Sequence, residues 1–142
     1  MARMTNSPGR YELLEPFVIS IVDDDGFARE AIGELVRSLG YRTAVFPSAE
    51  QFLESGCIGE TACLITDLQM PGMSGFDLQI RLRDDGFDTP IIFVSAFPEE
   101  RYRTRALDAG AVAFLSKPFE ERSLVECINA ALEGGSGHFG PN

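Results

Sequence analysis

FVISIVDDDGFAREAIGELVRSLG, residues 17–40, changes its hydrophobic period midway, and that change decides the fold. Residues 17–22 form a short apolar run rich in β-branched side chains, the pattern of a buried strand. After three aspartates, Phe27, Ala28, Ala31, Ile32, Leu35, Val36 and Leu39 recur at helical spacing, and Gly40 stops the helix. A buried strand running straight into an amphipathic helix begins a strand–helix–strand unit.

The alternation continues along the chain. Residues 41–46 read as a second strand. Ser48 is a candidate N-cap for a helix over 49–54, with Gln51 placed as in a capping box. Residues 62–66 form a third strand ending at Asp67, and a loop over 70–75 leads to a helix over 76–83. Residues 90–95 form a fourth strand, with Pro90 at its first position, where a missing N–H is tolerated. A helix over 99–108 is closed by Gly110, and a short fifth strand covers 112–115. The last helix, 120–132, offers Leu124, Val125, Ile128, Ala131 and Leu132 for its inner face. Five strands alternating with five helices predict an α/β fold, a doubly wound parallel sheet with helices on both faces. Residues 1–16 read as an N-terminal arm, 17–133 as one domain and the Gly-rich 134–142 as a flexible tail.

Composition narrows the function. The chain has 142 residues, 44% apolar and 24% charged, with a net charge of -10. That length allows one domain with a sizeable core. Duplex binding needs cations to neutralise phosphates, so direct nucleic-acid binding by this chain is not expected. No apolar run reaches membrane-span length and the start has no signal-peptide core, so the chain reads as cytoplasmic, with no membrane role. The three cysteines, Cys57, Cys63 and Cys127, lack metal-site or CxxC spacing and read as small packing residues.

In a parallel sheet, ligands bind beyond the carboxyl ends of the strands. The first strand ends in Asp23-Asp24-Asp25, the third in Asp67, the fourth in Ser95, and the fifth leads into Ser116-Lys117-Pro118. Single aspartates after strands are usually turn formers, but here several carboxylates, a hydroxyl and an amine converge. Oxygen donors of this kind suit Mg2+ or a similar hard cation. Lys117, in an apolar setting, calls for a carboxylate or phosphate partner. There is no Gly-rich nucleotide fingerprint, and the single histidine, His138, lies in the tail. Asp67 is therefore the candidate nucleophile, able to form an acyl phosphate, with Ser95, Lys117 and a cation neutralising phosphoryl oxygens.

The segments IVDDD, LITDLQMPGMSG, PIIFVSA and AFLSKPF, in this order, resemble the response-regulator receiver domain of bacterial two-component systems, a CheY-like family. The resemblance covers residues 17–133, and its wording is similar to the FixJ-type subgroup. It implies a flavodoxin-like strand order 2-1-3-4-5. It also implies that Asp67 accepts a phosphoryl group from a sensor histidine kinase or histidine phosphotransferase. Asp23 and Asp24 would form the acidic pair, with Asp24 the more direct Mg2+ (or Mn2+) ligand, and the backbone carbonyl of Gln69 would complete the metal site. Ser95 would be the switch hydroxyl, Lys117 the phosphate partner, Phe114 the aromatic switch residue and Lys117-Pro118 a cis peptide. Asp25 matches no such role and reads as a turn or cap. Gln69 and Phe97 would tune the lifetime of the acyl phosphate, with Phe97 shielding it from water. The output face would comprise the fourth helix, fifth strand and fifth helix. It would act on a partner, an output domain or a second copy, and Arg101, Arg103 and Arg105 on the fourth helix are either a docking surface or a solvated face. Such a protein is a phosphoacceptor switch, not an enzyme with external substrates.

Three other readings compete. An Asp-nucleophile phosphatase would need a second carboxylate near the position of Gln69. A mononucleotide carrier would need a phosphate loop where the aspartates stand. A phosphorylation-independent adaptor would not require the full set of site residues. The chain reads equally as a stand-alone receiver or as one part of a longer regulator.

Overall fold

The computed structural model describes residues 17–97 and 99–134. The elements alternate as follows: β1 Val18–Val22, α1 Gly26–Ser38, β2 Thr43–Phe46, α2 Ala49–Glu54, a 3-10 turn Ile58–Glu60, β3 Thr61–Asp67, α3 Gly75–Asp84, β4 Ile91–Ser95, α4 Glu100–Asp108, β5 Ala113–Ser116 and α5 Glu121–Gly134. All strand pairs are parallel, and the sheet order is β2-β1-β3-β4-β5, the order expected for the family. The expected N-terminal arm, most of the expected tail and Pro98 lie outside the described residues.

Side chains alternate across the sheet, so β1, β3, β4 and β5 each feed two cores. Leu64, Ile91, Phe93 and Phe114 pack against Phe52 of α2, Leu78 and Leu82 of α3 and Ala106 of α4. Ile19, Ile21, Cys63, Ile65, Ile92 and Val94 pack against Ile32 and Val36 of α1 and Leu124, Ile128 and Ala131 of α5. Each fully buried Ile, Leu or Phe contributes about 1.5–3 kcal/mol of transfer free energy, so these two layers dominate stability. Cys63 is a core residue and all three cysteines are free. Burial pushes the Cys63 thiol up to about 12 and leaves it protonated and inert.

Several edges differ from the sequence reading. Phe27 is 91% exposed, so the apolar stripe of α1 begins at Ile32 and not at its first turn. Val125 and Leu132 are only half-buried. Ser48 caps α2 by accepting from the Gln51 N–H at 3.1 Å, but the reciprocal capping box is instead at α3, between Ser74 and Asp77. No described helix is long and apolar enough to cross a membrane.

Candidate phosphoacceptor and cation site

The carboxyl ends of β1 and β3 are adjacent, with Val22 paired to Thr66, which brings two acidic segments side by side. Asp23 follows β1 and is fully buried, whereas Asp24 is exposed. Asp67 closes β3 at 8% exposure. One carboxylate oxygen from each of Asp23, Asp24 and Asp67 lies within 4.8 Å of the others. Asp25 stands apart: it is the N-cap of α1, its side chain accepting from the Phe27 N–H at 3.0 Å.

Buried like charges need compensation, and Lys117 supplies it. Its ammonium lies 3.0 Å from Asp23 Oδ2 and 3.7 Å from Asp67 Oδ2. The Lys117–Pro118 peptide is cis, and the Lys117 N–H donates to the Ser95 carbonyl at 2.7 Å. The remaining Asp23 oxygen accepts from the Asp25 N–H at 2.9 Å, and the Asp67 Oδ1 accepts from the Leu68 N–H at 2.8 Å. Even so, Asp67 is pushed up to about 6, first by burial and then by the Asp23 charge, against the opposing pull of Lys117 and the Leu68 N–H. The donor set is all oxygen, crowded and short of positive charge. Those properties suit a hard divalent cation better than a soft metal.

Ser95 is buried, and its hydroxyl faces its own loop, accepting from the Phe97 N–H at 2.9 Å and donating to the Phe97 carbonyl at 3.3 Å. Phe97 is 49% exposed, and Gln69 is exposed. The Phe114 ring is already inside, 3% exposed and 6.4 Å from the Phe93 ring. One contributor escaped the sequence reading: Arg29 in α1 donates to the Asp23 carbonyl at 2.7 Å and fixes the turn after β1. Its place one turn into the helix after the aspartates was the available signal.

The family model of the response regulator receiver domain matches residues 19–129. The chain belongs to this family. It is a receiver domain of the kind found in bacterial two-component systems. Response regulator protein TmoT of Ectopseudomonas mendocina is 45% identical over 118 residues, 82% of this chain and 53% of TmoT. Nodulation protein W of Bradyrhizobium diazoefficiens is 36% identical over 88% of this chain and 55% of its own length. The receiver spans about half the length of the curated relatives it matches. Among solved structures, response regulator StyR has a TM-score of 0.77 at 39% identity, covering 83% of this chain and 60% of StyR. The crystal structure of FixJ-N has a TM-score of 0.75 at 32% identity, covering 82% of this chain and 94% of that one.

Proposed function

We propose that this receiver accepts a phosphoryl group on Asp67 with a divalent cation, Mg2+ or Mn2+, and thereby switches the face formed by α4, β5 and α5. The observation that carries the reading is the cluster of Asp23, Asp24 and Asp67 carboxylates, with Lys117 bridging Asp23 and Asp67. Asp24, Asp67 and the Gln69 carbonyl would hold the cation, with Asp23 beside them. The cation would supply charge neutralisation for phosphoryl oxygens. An Asp67 oxygen attacks phosphorus, the bond from phosphorus to the donor's imidazole nitrogen breaks, and the nitrogen keeps the electron pair. Lys117 then moves its contact toward the new phosphate, and Ser95 exchanges Phe97 for a phosphate oxygen. The test is intact-protein mass spectrometry after incubation with acetyl phosphate. One phosphate is expected with Mg2+ and none with a chelator, and a folded protein that gains no phosphate would leave the adaptor reading in its place.

Release of the Ser95 hydroxyl would loosen the loop that leads to α4. The Phe114 ring is already buried, so its part would be a small repositioning and not a swing from solvent. The three arginines of α4 each have an internal partner: Arg101 pairs with Glu99, Arg103 donates to the Phe114 carbonyl at 2.8 Å, and Arg105 lies 4.1 Å over the Phe76 ring. The Arg103 and Arg105 contacts join α4 to β5 and α3, so movement at Ser95 would be felt across the output face. Candidate recipients are a partner protein, an output domain or a second copy; the relatives include a transcriptional regulatory protein, TdiR of Thauera aromatica.

Phe97 bears on lifetime. Its backbone is tied to Ser95 while its ring is half in solvent, where it can cover an acyl phosphate. Phe97→Ala is expected to shorten the half-life of the phosphorylated protein about threefold or more, ~0.7 kcal/mol of barrier, read by the decay of the mass adduct. An unchanged decay removes the shielding role.

The donor would dock beside the acidic site, where α1 displays Phe27. The Phe27 ring, 91% exposed next to Asp24 and Asp25, offers an incoming donor an apolar contact at the edge of the acidic site. With a cognate kinase, Phe27→Ser is expected to slow phosphotransfer by about tenfold, ~1.4 kcal/mol, while acetyl phosphate still labels the variant at the parental rate. Equal slowing with both donors would place the defect in the site and not in docking.

A further inference from the structure

We infer that Glu50, on a helix that supplies no other site residue, is a positioning residue for the acceptor site: its carboxylate holds the loop between Asp67 and α3 in the shape that presents the Gln69 carbonyl. The inference rests on the cation-assisted acceptor reading.

The loop over residues 68–74 is closed locally at both ends. Leu68 N–H bonds to Asp67, Gly75 N–H to the Leu68 carbonyl at 2.8 Å, and Ser74 N–H to Asp77 Oδ2 at 3.1 Å. The tip is held differently. Met73 N–H donates to Glu50 Oε2 at 2.9 Å, across 23 residues of sequence. Among the described residues it is the one hydrogen bond joining this loop to a separate helix or strand. The neighbouring Gly72 lies in the left-handed region at φ 78, and a Cβ there would stand 2.7 Å from Glu50 Oε2. The loop backbone therefore lies directly against the carboxylate, with no room for a side chain between them.

The backbone of Glu50 is well anchored, although its side chain is exposed. It sits in the first turn of α2, between the Ser48 cap and the fully buried Phe52, with Ala49 also fully buried. A Glu in a first turn also favours the helix dipole, and that general role explains its presence without reference to the loop. It does not explain the aim of the carboxylate at Met73 or the closeness of Gly72. The dipole role predicts a small change in helix stability and no change in the cation site. The positioning role predicts the reverse.

Glu50→Ala and Glu50→Gln separate these. Gln keeps an oxygen that can accept from Met73 but removes the charge. Two readouts apply: Mg2+ affinity by calorimetric titration, and amide hydrogen exchange of Met73 in the metal-free protein. For Glu50→Ala, Met73 exchange is expected to quicken and the Mg2+ Kd to rise about tenfold, the lower end of the range for residues that orient metal ligands. Glu50→Gln is expected to stay within about twofold of the parent in both, as a retained hydrogen bond requires. Melting temperatures should change little in either variant. A parent and Glu50→Ala with equal Mg2+ affinity overturn the role of Glu50 alone. Glu50→Gln as weak as Glu50→Ala also overturns it, because charge at a distance would then be the cause. A parent that binds no Mg2+ sinks the acceptor reading and this proposal together.

Discussion

Asp67→Asn will gain no phosphate from Mg2+ and acetyl phosphate, and the same variant will melt at a higher temperature than the parent at pH 7.5. The first result follows from chemistry, since an amide oxygen is too weak a nucleophile to displace at phosphorus. The second follows from the same crowding that makes the site. The Asp67 carboxyl is held up at about 6 by burial, then by Asp23, with Lys117 only partly offsetting them. Its value in the folded state exceeds the unfolded value of 3.8, so the ionised group opposes folding above pH 6. That cost is relieved as pH falls through 6 and is gone below 3.8. The full shift would correspond to about 3 kcal/mol. The open side of the site screens it, so about 1–2 kcal/mol is expected. That is a rise of roughly 3–8 °C for a domain of this size. Asn keeps an oxygen to accept the Leu68 N–H, so no hydrogen bond is lost in exchange. Mass spectrometry and thermal melts at pH 7.5 and pH 4 check both parts. A variant that still takes up phosphate moves the acceptor elsewhere, and a stability difference undiminished at pH 4 means that ionisation of Asp67 is not its source.

The fold was legible because its strands are buried on both faces and its helices on one, so the two periods stand out along the chain. Strand ends were less so, because pairing depends on neighbours that sequence does not display. The second strand starts at Thr43 and not at 41, since the Tyr41 N–H turns back to the Val36 carbonyl. Pro90 falls outside β4, yet its carbonyl still accepts from Leu64 N–H at 2.9 Å. Asp67 belongs to β3 itself, which is why it is nearly buried. Phe27 was misplaced by its spacing: α1 starts at the rim of the sheet, so its first turn has no core beneath it. The acidic convergence could be read because parallel strands put their carboxyl ends on one edge. The opposite fates of Asp23 and Asp24 could not, beyond the general rule that adjacent residues point to opposite sides. Arg29 and Glu50 act on backbone atoms of the site's loops. Arg29 had only its place one turn after the aspartates as a signal, and Glu50, 23 residues from its main-chain partner, leaves no motif of its own.

Gly75→Ala is expected to destabilise the protein by about 2 kcal/mol or more, although alanine is the better helix former. A methyl at this position would clash with the Asp67 carbonyl oxygen and stand 2.9 Å from the Phe93 ring and 3.1 Å from Leu68 Cα. Two of these are backbone atoms at the end of a central strand, and Phe93 is fully buried, so none can yield cheaply. Overpacking of this kind costs about 1–3 kcal/mol or more, against a gain of up to about 1 kcal/mol from helix propensity. Steric cost wins because α3 must start directly on top of β3, where Gly75 N–H bonds to the Leu68 carbonyl. Gly72→Ala makes the contrast. Its positive φ costs about 1 kcal/mol, but its close neighbour is the flexible end of Glu50, which can swing away. Urea unfolding should therefore rank the parent above Gly72→Ala and Gly72→Ala above Gly75→Ala. Mg2+ affinity should separate them in another way. Gly72→Ala displaces Glu50 from the loop and weakens binding in a protein that stays folded. Gly75→Ala pushes on the backbone of Asp67 itself, so its loss of affinity should accompany its loss of stability. A Gly75→Ala protein with the parental urea midpoint would mean that helix and strand can part without cost, and that the acceptor is not held by the packing of α3 on β3.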